Sequence, residues 1–143
     1  MKKISQNFIF HHIGYVCKDI EKYKINFLPL AKNKNYLAYD DINQNVKVLF
    51  IEMIGGYKIE LIQILNNDLY CPIKKYITTN ISGYHHICYE VKSIDNAIID
   101  LKESGYRLIS KTQNGFENRT ITFFIPKLQP DGPLIEIVSR IKN

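Results

Sequence analysis

All four histidines of the 143-residue chain stand in two near-identical segments, His11-His12-Ile13-Gly14-Tyr15 and His85-His86-Ile87-Cys88-Tyr89. With position 11 aligned on position 85, six of the first ten residues are identical. A second pair of segments follows, Lys58-Ile59-Glu60-Leu61-Ile62 and Leu134-Ile135-Glu136-Ile137-Val138. His12 and His86 are 74 positions apart, and Glu60 and Glu136 are 76 apart. A repeat that keeps histidine and glutamate in both copies points to one site assembled from two matching halves. Two imidazoles and two carboxylates suit one divalent transition ion such as Co, Zn, Ni, Mn or Fe, with the carboxylates offsetting its charge. In octahedral geometry two positions stay open for a substrate that chelates through two oxygens. The ion would then act as a Lewis acid on a carbonyl and stabilise an enolate. One carboxylate on either side of that enolate suits removal of a proton from one face and its return at the other. Glu60 and Glu136 are therefore expected to be acid–base groups as well as ligands.

Plainer roles exist for the same residues. A glutamate inside an apolar strand can simply face water on an exposed sheet face. Neighbouring residues of a strand point to opposite faces, so the repeat leaves open whether His11 and His85 or His12 and His86 face the site. Gln63, three positions after Glu60, falls on the opposite face and is expected to be exposed.

These residues need elements to hold them. Residues 8–17 are apolar, β-branched and aromatic, the signature of a buried strand. Asp19 opens a helix with acidic residues in its first turn, and Ile20, Tyr23, Lys24 and Phe27 share a face as far as Pro29. Strands are expected at 36–39, 46–53 and 57–65, with Gly55-Gly56 as the tight turn between the last two. In the second half the pattern restarts, with a strand at 85–91 and a helix from Ser93 to Ser104, ended by Gly105. Strands at 106–111, 120–125 and 134–139 complete it. Each half thus reads β-α-β-β-β. The expectation is one α+β domain over residues 1–143, made of modules at about 8–67 and 84–140. A linker carrying a short helix at 71–79, opened by Pro72, joins them.

Composition narrows the classes. Hydrophobic residues make up 45% of the chain, enough for a packed core, and no stretch is of low complexity. The net charge is +5, yet the lysines are scattered with no basic run, which argues against a nucleic-acid track. A modest positive field favours a small anionic substrate. Cys17, Cys71 and Cys88 are odd in number and form no CxxC pair, as in a cytoplasmic protein with reduced thiols. No signal peptide and no membrane span are expected.

Several segments carry a resemblance. His11-His12-Ile13-Gly14 with Lys18-Asp19-Ile20-Glu21, Gly83-Tyr84-His85-His86-Ile87-Cys88-Tyr89-Glu90-Val91, Phe123-Phe124-Ile125-Pro126-Lys127, and Gly132-Pro133-Leu134-Ile135-Glu136 together resemble the vicinal-oxygen-chelate superfamily. That superfamily includes glyoxalase I, methylmalonyl-CoA epimerase, extradiol dioxygenases and antibiotic-binding proteins, and the epimerase-like members are the nearest in pattern. The resemblance implies paired βαβββ modules forming a curved, partly closed mixed sheet around one divalent metal ion, the glyoxalase-like fold. It also implies that the second histidine of each pair is the ligand, giving His12, Glu60, His86 and Glu136. The substrate implied is a small anionic acyl thioester or thiol conjugate, and the assembly a homodimer. The activity implied is an epimerase that moves a proton beside a carbonyl, with a glyoxalase I-like lactoylglutathione lyase as alternative. An antibiotic-binding role without catalysis is a second alternative, for which ten Tyr and seven Phe would supply a lining. An extradiol dioxygenase fits less well, because four protein ligands leave little room for both catechol and oxygen. The chain departs from the pattern at Ile125, where many members have histidine, and at Val48, where some carry an acidic residue. Arg119 and Lys127 are the candidates to meet a substrate carboxylate or phosphate, against the plainer reading of exposed basic residues.

Overall fold

The computed structural model describes residues 3–4, 7–34, 36–71, 73–74, 83–128 and 134–141. The chain divides into two compact units, residues 12–85 and residues 1–11 with 86–143. Of the helix expected at 71–79, residues 72 and 75–79 lie outside the described residues.

In the 12–85 unit, β1 (Ile9–Val16) contributes its residues from His12 onward. It is followed by α1 (Ile20–Tyr23), β2 (Leu37–Asp41), β3 (Val46–Glu52) and β4 (Lys58–Ile64). The strands lie in the order β2-β3-β4-β1. β1 and β4 run parallel, and the other pairs are antiparallel. Gly55 and Gly56 have φ of 100° and 86°, a left-handed pair that glycine adopts at no steric cost and that turns β3 into β4. Strand alternation then sorts the side chains. Ile59 and Leu61 join Cys17, Ile20, Leu49, Ile51 and Met53 in the core, so Glu60 faces the other way.

The first helix is shorter than its sequence suggests. Asp19 caps it by accepting the N–H groups of Glu21 and Lys22. After Tyr23 the chain tightens into two 3-10 turns, Lys24–Asn26 and Leu28–Leu30. The Asn26 amide donates to the Tyr23 carbonyl at 3.0 Å, a side-chain bond in place of the next helical one. Gln63 also departs from expectation. It is half-buried, and its Oε1 accepts the Ile20 N–H at 2.9 Å, tying α1 to β4.

The other unit holds β5 (Gly83–Val91) from His86 onward, α2 (Ile94–Glu103), β6 (Tyr106–Leu108), β7 (Gln113–Asn114), β8 (Thr120–Pro126) and β9 (Leu134–Ser139). β5 pairs parallel with β9, β9 antiparallel with β8, and β8 antiparallel with β6 and β7. The Ser93 hydroxyl caps α2 through the Asn96 N–H. Ala97 and Leu101 pack from the helix onto Val91, Phe124 and Ile137.

β6 ends three residues short of the expected Lys111, and the sequence reading missed β7 altogether. The reason is Ser110. Its hydroxyl oxygen accepts the Phe123 N–H at 3.0 Å and pairs with the Thr122 hydroxyl, so a side chain takes the place of a backbone rung. Both units are thus mixed sheets of the α+β class with the expected βαβββ order, the second bearing the extra strand. Among the described residues, no helix is long and apolar enough to cross a membrane.

Candidate metal centre

Each unit brings together one histidine and one glutamate of the repeat. In the 12–85 unit, His12 on β1 is fully buried and Glu60 on β4 nearly so. The parallel register sets Gly14 opposite Glu60, and His12 Nε2 lies 3.6 Å from Glu60 Oε2. In the second unit, His86 on β5 and Glu136 on β9 are buried as well, with His86 Nε2 at 3.1 Å from Glu136 Oε2. Here Cys88 stands opposite Glu136.

These spacings can be compared with those around a metal. Two donors bound at about 2.1 Å lie about 3.0 Å apart at right angles and about 3.4 Å apart in a tetrahedron. Each His–Glu pair is therefore spaced as two neighbouring ligands of one ion are. Nitrogen and carboxylate oxygen are also the donors that a divalent transition metal accepts, so the residues fit the group. A buried carboxylate facing an imidazole without an ion costs desolvation that the ion would offset.

The surroundings of the two pairs match. Phe50 on β3 is the cross-strand partner of Glu60 and meets the His12 ring edge-on, centroids 5.1 Å apart. Phe123 on β8 is the partner of Glu136 and meets the His86 ring likewise, at 5.6 Å. An aromatic wall beside each imidazole limits its rotation and keeps water from the donor atoms. Sequence reasoning passed over both phenylalanines, although they sit at corresponding places in the two copies. The signal was there, in an aromatic residue one strand before each glutamate.

Electrostatics single out Glu136. Burial pushes its carboxyl up to about 8, opposed by the Cys88 thiol, which donates to Oε1 at 3.6 Å, and by the charge of Arg119. A carboxylic acid so placed keeps its proton near neutrality until a cation or a reacting group displaces it.

The first histidine of each pair has other surroundings. His11 is half-buried, its Nε2 3.3 Å from the Arg119 guanidinium and its ring 5.4 Å from that of Phe116. His85 is half-buried too, and burial pushes its imidazole down to about 4, so it stays neutral. Val48 is buried. Ile125 is half-buried.

Arg119 is not the exposed basic residue of the plainer reading. It is 3% exposed, forms a close ion pair with Glu90, donates to the Ser139 carbonyl at 2.7 Å and lies over the Phe116 ring. Its charge is spent inside the protein. Lys127, by contrast, is exposed.

A family model described as the Glyoxalase/Bleomycin resistance protein/Dioxygenase superfamily matches residues 11–123. The chain belongs to this superfamily. Within it, the chain is 30% identical over 129 residues to human mitochondrial methylmalonyl-CoA epimerase, covering 89% of this chain and 71% of that protein. It is 29% identical over 130 residues to the ethylmalonyl-CoA/methylmalonyl-CoA epimerase of Cereibacter sphaeroides, covering 89% and 94%. Among solved structures, the fold is shared with a variant of Streptomyces coelicolor methylmalonyl-CoA epimerase in complex with 2-nitronate-propionyl-CoA. The TM-score is 0.73 at 23% identity, over 96% of this chain and all of that one. This superfamily member is an enzyme of the epimerase type.

Proposed function

We propose that the chain is a divalent-metal-dependent epimerase acting on methylmalonyl-CoA or a close acyl-thioester relative, with His12, Glu60, His86 and Glu136 as the ligands of one ion. The observation that carries this reading is the repeated His–Glu pair. Each copy buries a donor nitrogen and a donor oxygen at the separation of neighbouring ligands, in a chain whose relatives along 89% of its length are epimerases. The ion is one of Co, Zn, Ni, Mn or Fe. When bound it supplies Lewis-acid stabilisation of the negative charge that forms on the oxygens of an acyl thioester.

The chain's own residues do the rest. As ligands through Nε2, His12 and His86 would carry a proton on Nδ1. Epimerisation needs a proton taken from one face of a carbon and returned at the other, and Glu60 and Glu136 are the two carboxylates available for it. The phenylalanines beside the histidines hold the imidazole rings edge-on and keep the surroundings of the donor atoms apolar. Of the two basic candidates, Lys127 is exposed and Arg119 buried, so Lys127 is the readier to meet an anionic part of the substrate. A cytoplasmic homodimer completes the proposal. Buried cysteines that form no disulfide suit a reducing compartment, and sedimentation equilibrium tests the dimer.

Titration calorimetry with Co or Zn, on the wild type and on His12→Ala combined with Glu136→Ala, is the deciding experiment. Tight one-to-one binding lost in the double variant, followed by solvent deuterium entering methylmalonyl-CoA, is the expected result. Equal binding by both proteins would end the metal reading.

A further inference from the structure

We propose that Cys88 is a positioning residue for the reaction, its thiol pinning Glu136 through Oε1 so that Oε2 stays aimed toward the side of His86. This rests on the epimerase reading above. Cys88 and Glu136 are direct partners in the parallel register of β5 and β9, so backbone pairing alone fixes their approach. Cys88 is fully buried and Glu136 is 3% exposed, with Sγ donating to Oε1 at 3.6 Å. The other carboxylate oxygen lies 3.1 Å from His86 Nε2. The two oxygens of Glu136 thus have separate duties, one held by the protein scaffold and one presented to the site.

The repeat breaks at this point. In the corresponding register of β1 and β4, the residue opposite Glu60 is Gly14, which has no side chain to do the same. The two glutamates, equivalent by sequence pattern, thus differ in the residue that faces them across the parallel strand pair. A carboxylate that must both ligate and exchange a proton benefits from a fixed torsion, because a swing of its free oxygen by an ångström removes it from either task. A weak sulfhydryl donor suits this better than a hydroxyl, since it orients the carboxylate without competing strongly for its charge.

Infrared spectroscopy of the metal-free protein tests the contact itself. The S–H stretch that disappears in Cys88→Ala identifies this thiol among the three of the chain. That band is expected below those of Cys17 and Cys71, and to rise in Glu136→Leu, which removes the acceptor but keeps the bulk. A Cys88 band unmoved by Glu136→Leu overturns the proposal. Should Cys88→Ala fold poorly, the Cys17→Ala, Cys71→Ala double variant leaves the Cys88 band alone in the spectrum. For the functional part, Cys88→Ala is expected to lower kcat for deuterium exchange by about 10-fold or more with KM changed by less than about twofold, the size of an outer-shell effect. Unchanged kcat overturns the positioning role. A wild type that neither binds Co nor exchanges deuterium defeats the epimerase reading instead, while the thiol band still decides the contact.

Discussion

Glu136 holds its proton because burial denies the carboxylate its hydration, and this has a measurable sign. Its carboxyl is raised from 4.5 to about 8 in the folded chain. Between those values the folded, metal-free protein binds a proton that the unfolded chain has released. This contribution to stability is fully present below pH 4.5 and is lost as pH rises through 8. Urea unfolding in the presence of a chelator should therefore show stability from this group falling over that window. Glu136→Gln, neutral at every pH, should flatten the fall; an unchanged slope in the variant would refute the assignment. Metal binding must expel the same proton, so calorimetry below pH 8 in buffers of different ionisation enthalpy should register its release. On the proposed ligation, His12→Ala removes a donor atom rather than its support, and metal affinity should fall by more than the roughly 10–100-fold expected for loss of a supporting residue. Competition with a fluorescent zinc chelator measures it. The His–Glu repeat was legible as residues. What the sequence left open was which histidine of each pair faces a glutamate, and the burial of His12 and His86 beside Glu60 and Glu136 shows it.

At the scale of elements, the second module was the easier to read, and α2 shows why. Its cap, Ser93, and its buried face, Ala97 and Leu101, are all local signals. Ser93→Ala should cost about 1 kcal/mol by freeing the Asn96 N–H. Chemical denaturation would measure the loss, and metal affinity should not change, since the cap touches neither His86 nor Glu136. Leu101→Ala should cost about 2–5 kcal/mol, because it opens a cavity against Phe124 and Ile137. A cost below about 1 kcal/mol would mean that the helix is not seated as described. The elements that sequence reasoning misjudged are those decided by side-chain hydrogen bonds. Asn26 stops α1 early, and Ser110 ends β6 and opens the way to β7. Such bonds depend on which partner the fold brings near, and a hydrophobic period does not record that.

For the molecule as a whole, the ion and the fold should stabilise each other. Saturating Co or Zn at about a thousand times its dissociation constant should add about 4 kcal/mol, read as a rise in melting temperature that a chelator reverses. A melting temperature indifferent to metal would contradict ligation by buried residues of the native state. The sequence by itself carried the βαβββ order of elements and the repeated His–Glu pair, because periodicity and repetition are properties of order along the chain, while the superfamily was legible as a resemblance of motifs. Tertiary structure alone decided that Arg119 is buried against Glu90 and that Gln63 ties β4 to α1. It also decided that Phe50 and Phe123 brace the histidines and that Cys88, unlike Gly14, holds its glutamate. The physical reason is distance along the chain. Cys88 and Glu136 are 48 residues apart, and a contact that long-ranged exists only once strand register has placed one residue opposite the other.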